Sequence, residues 1–261
     1  MSIKLSKLVD SLIESSPPVE LKEVSNLINK LTNDQSIIDD SILSFIEENG
    51  IIYQDYIISN LNKDKQSSKY IDYIRKQLFN VDFKQGKIID LEDYAPNQQY
   101  PDYFDDLVDK LEQYGQDYYP STFASTIIPN EDSIHVILIG QRSNNANFYT
   151  GQWNSKYTIK SNGEISGKIK LDIHYFEDGN VRLKFNEGVT GSIDNLTSSN
   201  ILNFINNQES KIILKLIENF NNLNQQQFKN LRRLLPVTRS NINWGNAIGN
   251  YRLGSDVVNK K

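Results

Sequence analysis

An α+β fold is expected from three features of the 261-residue chain. Apolar residues recur at spacings of three and four through the first fifty positions. They alternate at every second position between Ile134 and about residue 190. A stripe of helical period then returns after Thr197. The chain therefore reads as an N-terminal helical bundle, a central antiparallel β-meander, a long C-terminal helix crossing the sheet and an amphipathic C-terminal extension. Strands joined by turns, without crossover helices, argue against a doubly wound nucleotide-binding fold.

Residues 1–50 carry three short helices. Leu5, Leu8, Val9 and Leu12 form the first stripe, and Ser16-Pro17-Pro18 interrupts it. Leu21, Val24, Leu27, Ile28 and Leu31 form the second. Asn33 and Asp34 offer cap chemistry to a third helix carrying Ile38, Ile42, Phe45 and Ile46, with Gly50 as its terminator. Residues 51–130 read as a helical and acidic connecting region, with Tyr70, Tyr73 and Ile74 on a helix face continuing to Leu78. Between Asp90 and Asp117 nine acids face one base, Lys110. Tyr94, Tyr100, Tyr103, Phe104 and Tyr114 interrupt that run, which suits a solvated surface anchored by its aromatics; an acidic partner-binding segment is the other reading.

Residues 131–190 form the sheet. Ile134–Ile139 is a β-rich run ending at Gly140, and Trp153, Ser155, Tyr157 and Ile159 share one strand face. Ile169, Leu171, Ile173 and Tyr175 do the same on the next strand. Glu177-Asp178-Gly179-Asn180 is a hairpin turn with Gly179 expected at positive φ, followed by Val181, Leu183 and Phe185. Trp153 and Tyr157 are expected to pack. One face should be dry, the other wet or covered by a helix. Thr197, Ser198 or Ser199 caps the long helix over 197–235, whose stripe runs Ile201, Ile205, Ile212, Leu216, Phe220, Leu223, Leu231, Leu235. Unbroken to Pro236, which ends it, such a helix reaches roughly 55 Å. Residues 236–261 hold Trp244, Ile248, Tyr251 and Leu253 but too little else for a core of their own.

Composition narrows the chemistry. There is no cysteine, which excludes disulfides, Cys-based zinc sites and cysteine nucleophiles, and only His135 and His174 offer imidazole. Both histidines read as structural, His174 as a hydrogen-bonded surface residue. The spacings of zincins, P-loops, dinucleotide-binding loops, nucleophile elbows and EF-hands are all missing, so no catalytic, cofactor or metal residue is assigned. An enzyme using dispersed carboxylates is a poor alternative. Asn195-Leu196-Thr197 matches a glycosylation sequon but reads as a helix start. The N-terminus shows no secretory apolar block and no run approaches the length of a membrane span, so a reduced intracellular protein is expected.

The net charge of −5 is unevenly placed. From Asn219 onward Lys229, Arg232, Arg233, Arg239, Arg252, Lys260 and Lys261 oppose Asp256 alone: seven less one is +6, which leaves −11 on residues 1–218. Such a distribution suggests a localised contact with an acidic partner, not a nucleic-acid module. At helical spacing Lys229, Arg232 and Arg233 cluster on one face, with Leu231, Leu234 and Leu235 toward the other. Arg239 extends the positive surface past Pro236. The same segment also suits a membrane-surface protein that binds anionic phosphoinositide headgroups.

At this segment the sequence resembles the alpha subunits of the heterodimeric actin filament capping proteins. LRRLLPVTRSNINW at Leu231–Trp244 looks like the family's most specific motif, and GQWNSKYTI at Gly151–Ile159 and IHYFEDGNVRL at Ile173–Leu183 agree in order. Asn154, Asn241 and Asn243 depart from the arginine, lysine and aspartate common in the family. The resemblance implies a non-enzymatic subunit, paired with a structurally similar beta subunit through a continuous sheet. The pair blocks subunit exchange at the barbed end of the filament without calcium. It implies actin contacts from Lys229, Arg232, Arg233 and Arg239, with apolar retention by Ile248, Tyr251 and Leu253. Phosphoinositides and capping-protein regulators are implied as further ligands, and the cytoplasm and cortical actin cytoskeleton as the location.

Overall fold

In the computed structural model, which describes residues 2–222 apart from 84–86, 97–99, 120 and 178–179, a five-stranded antiparallel sheet separates two groups of helices. On one side stand α1 (Ser2–Glu14), α2 (Leu21–Leu31) and α3 (Gln35–Asn49). Val9, Ile13, Leu21, Ile28, Ile38, Ile42 and Ile46 form their shared core. Leu8, Leu27 and Leu31 remain exposed. Pro17 and Pro18 lie in the connection between α1 and α2. The Asp34 carboxylate accepts the Ile37 N–H at 3.4 Å and caps α3. At the other end Gly50, at φ 79°, donates its N–H to the Ile46 carbonyl at 2.7 Å. A β-carbon there would meet Asn154 Nδ2 at 3.1 Å and Ile139 at 3.2 Å, so both backbone and space call for glycine.

Residues 51–93 correct the expectation of a helical connection. They form the hairpin β1 (Ile51–Tyr53) and β2 (Tyr56–Ile58), then a three-stranded sheet of β3 (Tyr70–Asp72), β4 (Gln77–Asp82) and β5 (Lys87–Asp93). The helix expected from Tyr70 to Leu78 is instead a tight reversal. The Asp72 carboxylate accepts the N–H groups of Ile74 and Arg75 at 3.0 and 2.9 Å and pairs with the Arg75 guanidinium at 2.7 Å. Aspartate competes in this way with the helical hydrogen-bond ladder. Tyr70, Phe79 and Val81 join the core of the three N-terminal helices. The acidic run then enters α4 (Phe104–Tyr118), which buries Phe104, Leu107, Leu111 and Tyr114 and leaves Asp105, Asp106, Asp109 and Glu112 exposed.

The large sheet has strand order β10-β9-β8-β7-β6. Its strands are β6 (Thr122–Pro129), β7 (Ser133–Asn144), β8 (Tyr149–Lys160), β9 (Glu164–Tyr175) and β10 (Val181–Ser192). The sheet therefore begins at residue 122, one strand before the expected Ile134; β6 had been assigned to the connecting region. Val136, Ile137, Leu138 and Ile139 of β7 are all fully buried, so this strand is dry on both faces. The turn residues Asp178 and Gly179 lie outside the described residues, while the flanking strands pair in register from Tyr175 with Val181 to Glu164 with Ser192.

Across one face runs α5 (Ser198–Asn222), whose start is marked by Thr197 Oγ1 accepting the Asn200 N–H at 3.3 Å. Ile201, Ile205, Ile212 and Leu216 are buried against the sheet. Twenty-five residues give a length of roughly 37 Å; the expected continuation to Leu235 lies outside the described residues. Glu209, within the apolar stripe, is fully buried. Its Oε2 accepts hydroxyls from Tyr114 at 2.8 Å and Tyr119 at 2.9 Å, and its Oε1 accepts from Ser155 at 2.8 Å and Tyr157 at 3.4 Å. Trp153 Nε1 donates to Ser155 Oγ at 2.7 Å and closes the cluster. Charge-assisted hydrogen bonds of this kind are about twice as strong as neutral ones.

Truncating this carboxylate would leave several buried hydroxyls without an acceptor. Glu209→Ala should lower unfolding stability by on the order of 3–5 kcal/mol. Glu209→Gln, which keeps one acceptor oxygen, should lose less. Urea unfolding of the two variants checks the order; equal losses would mean that packing, not hydrogen bonding, sets the role of this side chain.

Candidate interaction surface

Lys229, Arg232, Arg233, Arg239, Ile248, Tyr251 and Leu253 lie outside the described residues, as do Pro236, Trp244 and Gly179. Trp153 and Tyr157 are both about 1% exposed and belong to the core beneath α5. The described part of α5 ends at Asn222, seven positions before Lys229 in the sequence.

Two further surfaces were not legible in the sequence. β10 is an edge strand, paired on one side only, to β9, through twelve residues. An edge of that length offers backbone donors and acceptors to another strand. The second surface is the sheet face turned toward α1 and α3. Arg182 grips Asp172 through Nε at 2.9 Å and Nη2 at 2.6 Å, and its guanidinium also donates to the carbonyls of Ser15 and Ser16. The end of α1 is thereby fastened to β10, an arginine serving as a helix C-terminal cap. Asn154 is buried and donates to the Asn49 carbonyl, joining β8 to the end of α3. Lys156 Nζ donates to the Glu48 carbonyl at 2.7 Å. Burial, followed by the charge of Lys170, pushes the Lys156 ammonium down from its ordinary 10.5 to about 8.

The histidines are structural in different ways. His135 accepts from Asn130 Nδ2 through Nε2 at 3.2 Å, which leaves Nδ1 to donate to Thr158 Oγ1 at 2.9 Å. Burial lowers its pKa and favours that neutral form. His174 corrects the expectation of a surface residue: it is 8% exposed, 2.5 Å from Asn180 Oδ1 and 3.8 Å from Glu20. Among the described residues no group of three or more His, Asp or Glu is placed to hold a metal ion. No described helix is long and apolar enough to cross a membrane.

A sheet clamped between two helical layers, with β10 as a twelve-residue edge strand and polar side chains joining the layers, defines a scaffold for association with other proteins. The comparisons make that class specific: the F-actin capping protein alpha subunit family model matches residues 9–256, and the chain belongs to that family. It is 57% identical to the F-actin-capping protein subunit alpha of Candida albicans, with the whole of both chains covered. It is 35% identical to that of Saccharomyces cerevisiae over 100% of this chain and 99% of the relative. The structure of the homodimeric actin capping protein alpha subunit from Plasmodium berghei superposes with a TM-score of 0.73 at 23% identity, covering 92% of this chain and all of the other. That likeness extends the shared fold to a distant sequence.

Lys156 gives the junction between α3 and β8 a signature in pH. Its folded pKa of about 8 lies below the ordinary 10.5, so between those values the unfolded chain binds more protons and this group's contribution to stability rises with pH. Lys156→Met should raise stability at pH 7 by up to about 3 kcal/mol. The gain should shrink from about pH 8 upward and vanish near 10.5. Thermal unfolding across that range is the measurement, and a gain independent of pH would remove the desolvated ammonium from the account.

Proposed function

We propose that the chain is the alpha subunit of a heterodimeric, calcium-independent, non-enzymatic protein that binds the barbed ends of actin filaments and blocks subunit exchange there. The observation that carries this reading is the family match along nearly the whole chain, including the segment LRRLLPVTRSNINW. A beta subunit of similar fold is the partner proposed for the open edge of β10. The exposed Leu8, Leu27 and Leu31 of α1 and α2 are further apolar surface for such a partner to cover. The basic segment is proposed as the first contact with acidic actin surface, with Ile248, Tyr251 and Leu253 retaining the filament end by apolar burial. Phosphoinositides and regulators of capping would compete for the same charges. The cytoplasmic and cortical actin cytoskeleton is the place where this activity would act. A purely membrane-bound role draws on the same basic segment and has no further observation in its favour.

Long-range attraction acts mainly on encounter and is screened over about 8 Å at physiological salt. Replacing Arg233 and Arg239 together by alanine should slow association with filament ends severalfold and flatten its salt dependence. Barbed-end elongation at two salt concentrations measures both, with thermal unfolding as the check on integrity. An intact double variant that caps as fast as the parent, with the same salt response, would reject the basic-segment mechanism.

A further inference from the structure

The sheet face turned toward α1 and α3 is only partly covered, and the uncovered part is cationic. Lys156 and Lys168 are direct cross-strand partners on β8 and β9. Lys170 lies two residues along β9, and Lys184 on β10 stands opposite Asp172. Like charges placed directly opposite each other disfavour strand pairing. None of the four lysines has an ion pair among the described residues. Lys156, Lys170 and Lys184 end on neutral oxygens at helix C-termini: the Glu48 carbonyl, Asn49 Oδ1 at 3.0 Å and the Glu14 carbonyl at 3.1 Å. Lys168 is exposed. The carboxylates nearby are Glu14, Glu48 and Asp172, the last engaged by Arg182. Burial and then the neighbouring lysines lower the pKa of both Lys156 and Lys170, and Glu48 offsets this only in part, so the lysines of this corner crowd one another.

Beside Lys170 and Lys184 opens a cleft of about 250 Å³ between the sheet and the connection from α1 to α2. Its opposite wall is apolar, made by Pro17, Pro18, Val19 and Phe45. Val19 has φ 69°, a left-handed conformation that a β-branched side chain adopts only when its surroundings impose it, and it is 40% exposed. Arg182 holds the start of the same connection through the carbonyls of Ser15 and Ser16. One wall thus offers Lys170 and Lys184, neither in an ion pair although Glu14 and the Arg182-bound Asp172 also line the cleft, and the other an apolar edge.

We propose that this cleft is a docking site for an acidic peptide segment of a partner protein. The segment would set an apolar side chain against Val19 and Phe45 and its carboxylates on Lys168, Lys170 and Lys184. Carboxylates brought there would raise the lowered pKa values of Lys156 and Lys170, which ties the charge of the wall to the charge of the ligand. A flat bilayer is a poorer fit, because the apolar wall is recessed between the helices and the sheet.

The test uses the full chain purified with its beta subunit and a fluorescein-labelled peptide of repeating Glu-Glu-Leu, read by anisotropy. On a background of Arg233→Ala with Arg239→Ala, which removes much of the peptide's attraction to the basic C-terminal segment, Lys170→Gln with Lys184→Gln should weaken binding roughly tenfold. A repeating Glu-Glu-Ser peptide should bind severalfold more weakly than the leucine peptide. A photo-reactive leucine in the peptide should crosslink to residues 17–21 and to Phe45 of the unaltered protein, a readout that holds even where a lysine variant folds poorly. Crosslinks elsewhere, loss of binding only in the arginine variant, or no binding at all would overturn the proposal. So would phosphatidylserine vesicles whose binding depends on Lys170 and Lys184, which would make the face a membrane surface. Barbed-end capping is measured separately, so failure of this site and failure of the capping reading are distinguishable.

Discussion

A single buried carboxylate fixes how the layers of this molecule stand on one another. Glu209 draws hydroxyls from the end of α4, from the residue following it and from β8 onto one acceptor group. Hydrophobic packing of Ile205 and Ile212 would hold α5 against the sheet in several registers, since apolar contact has little directionality. A carboxylate whose hydroxyl donors come from α4, the Tyr119 position and β8 is satisfied in one register only. A register error would leave both the charge and the hydroxyls buried and unpaired, at a cost of several kcal/mol.

The opposite face of the sheet is joined by a different device. There the polar ends of α1 and α3 meet polar strand residues: Arg182 takes the carbonyls at the end of α1, while Asn154 and Lys156 take those at the end of α3. Helix C-termini leave carbonyls without internal partners, and donors on a strand face satisfy them without requiring apolar contact. The end of α3 comes close enough to β8 that a β-carbon on Gly50 would meet Asn154 Nδ2 at 3.1 Å.

What could be read from the sequence follows from the length of each periodic signal. The three N-terminal helices, the strands from Ile134 onward and the start of the long helix each carry several repeats of one period, and they stand where the pattern put them. β3, of three residues, is too short to show alternation, and the turn at Asp72 that reverses the chain was masked by aromatics at helical spacing. β6 was lost because Thr122, Ser125 and Thr126 dilute its apolar pattern. Glu209 was visible in one respect: it occupies the stripe of α5 four residues after Ile205, where a solvent-seeking acid has no reason to be. The lysines of β8 and β9 were invisible because their meaning depends on register, which no local pattern supplies.

Charge placement connects the rigid part of the molecule to its proposed work. Residues 1–218 carry −11 and the remainder +6, so the chain is a dipole in sequence as well as an association scaffold. A positive segment on a freely wandering tail would fold back onto its own acidic body as readily as onto a partner. Anchoring α5 up to Leu216 by burial, with Glu209 as its register lock, fixes the point from which the basic segment departs. The exposed acids of α4 lie against the N-terminal half of α5, since Asp106 bonds Ser198 at its start. Most of the described length of α5 therefore separates them from Asn222, where the described helix ends. At roughly 1.5 Å per residue that length exceeds a Debye length of about 8 Å, so the acids of α4 are largely screened from charge at the far end of the described helix.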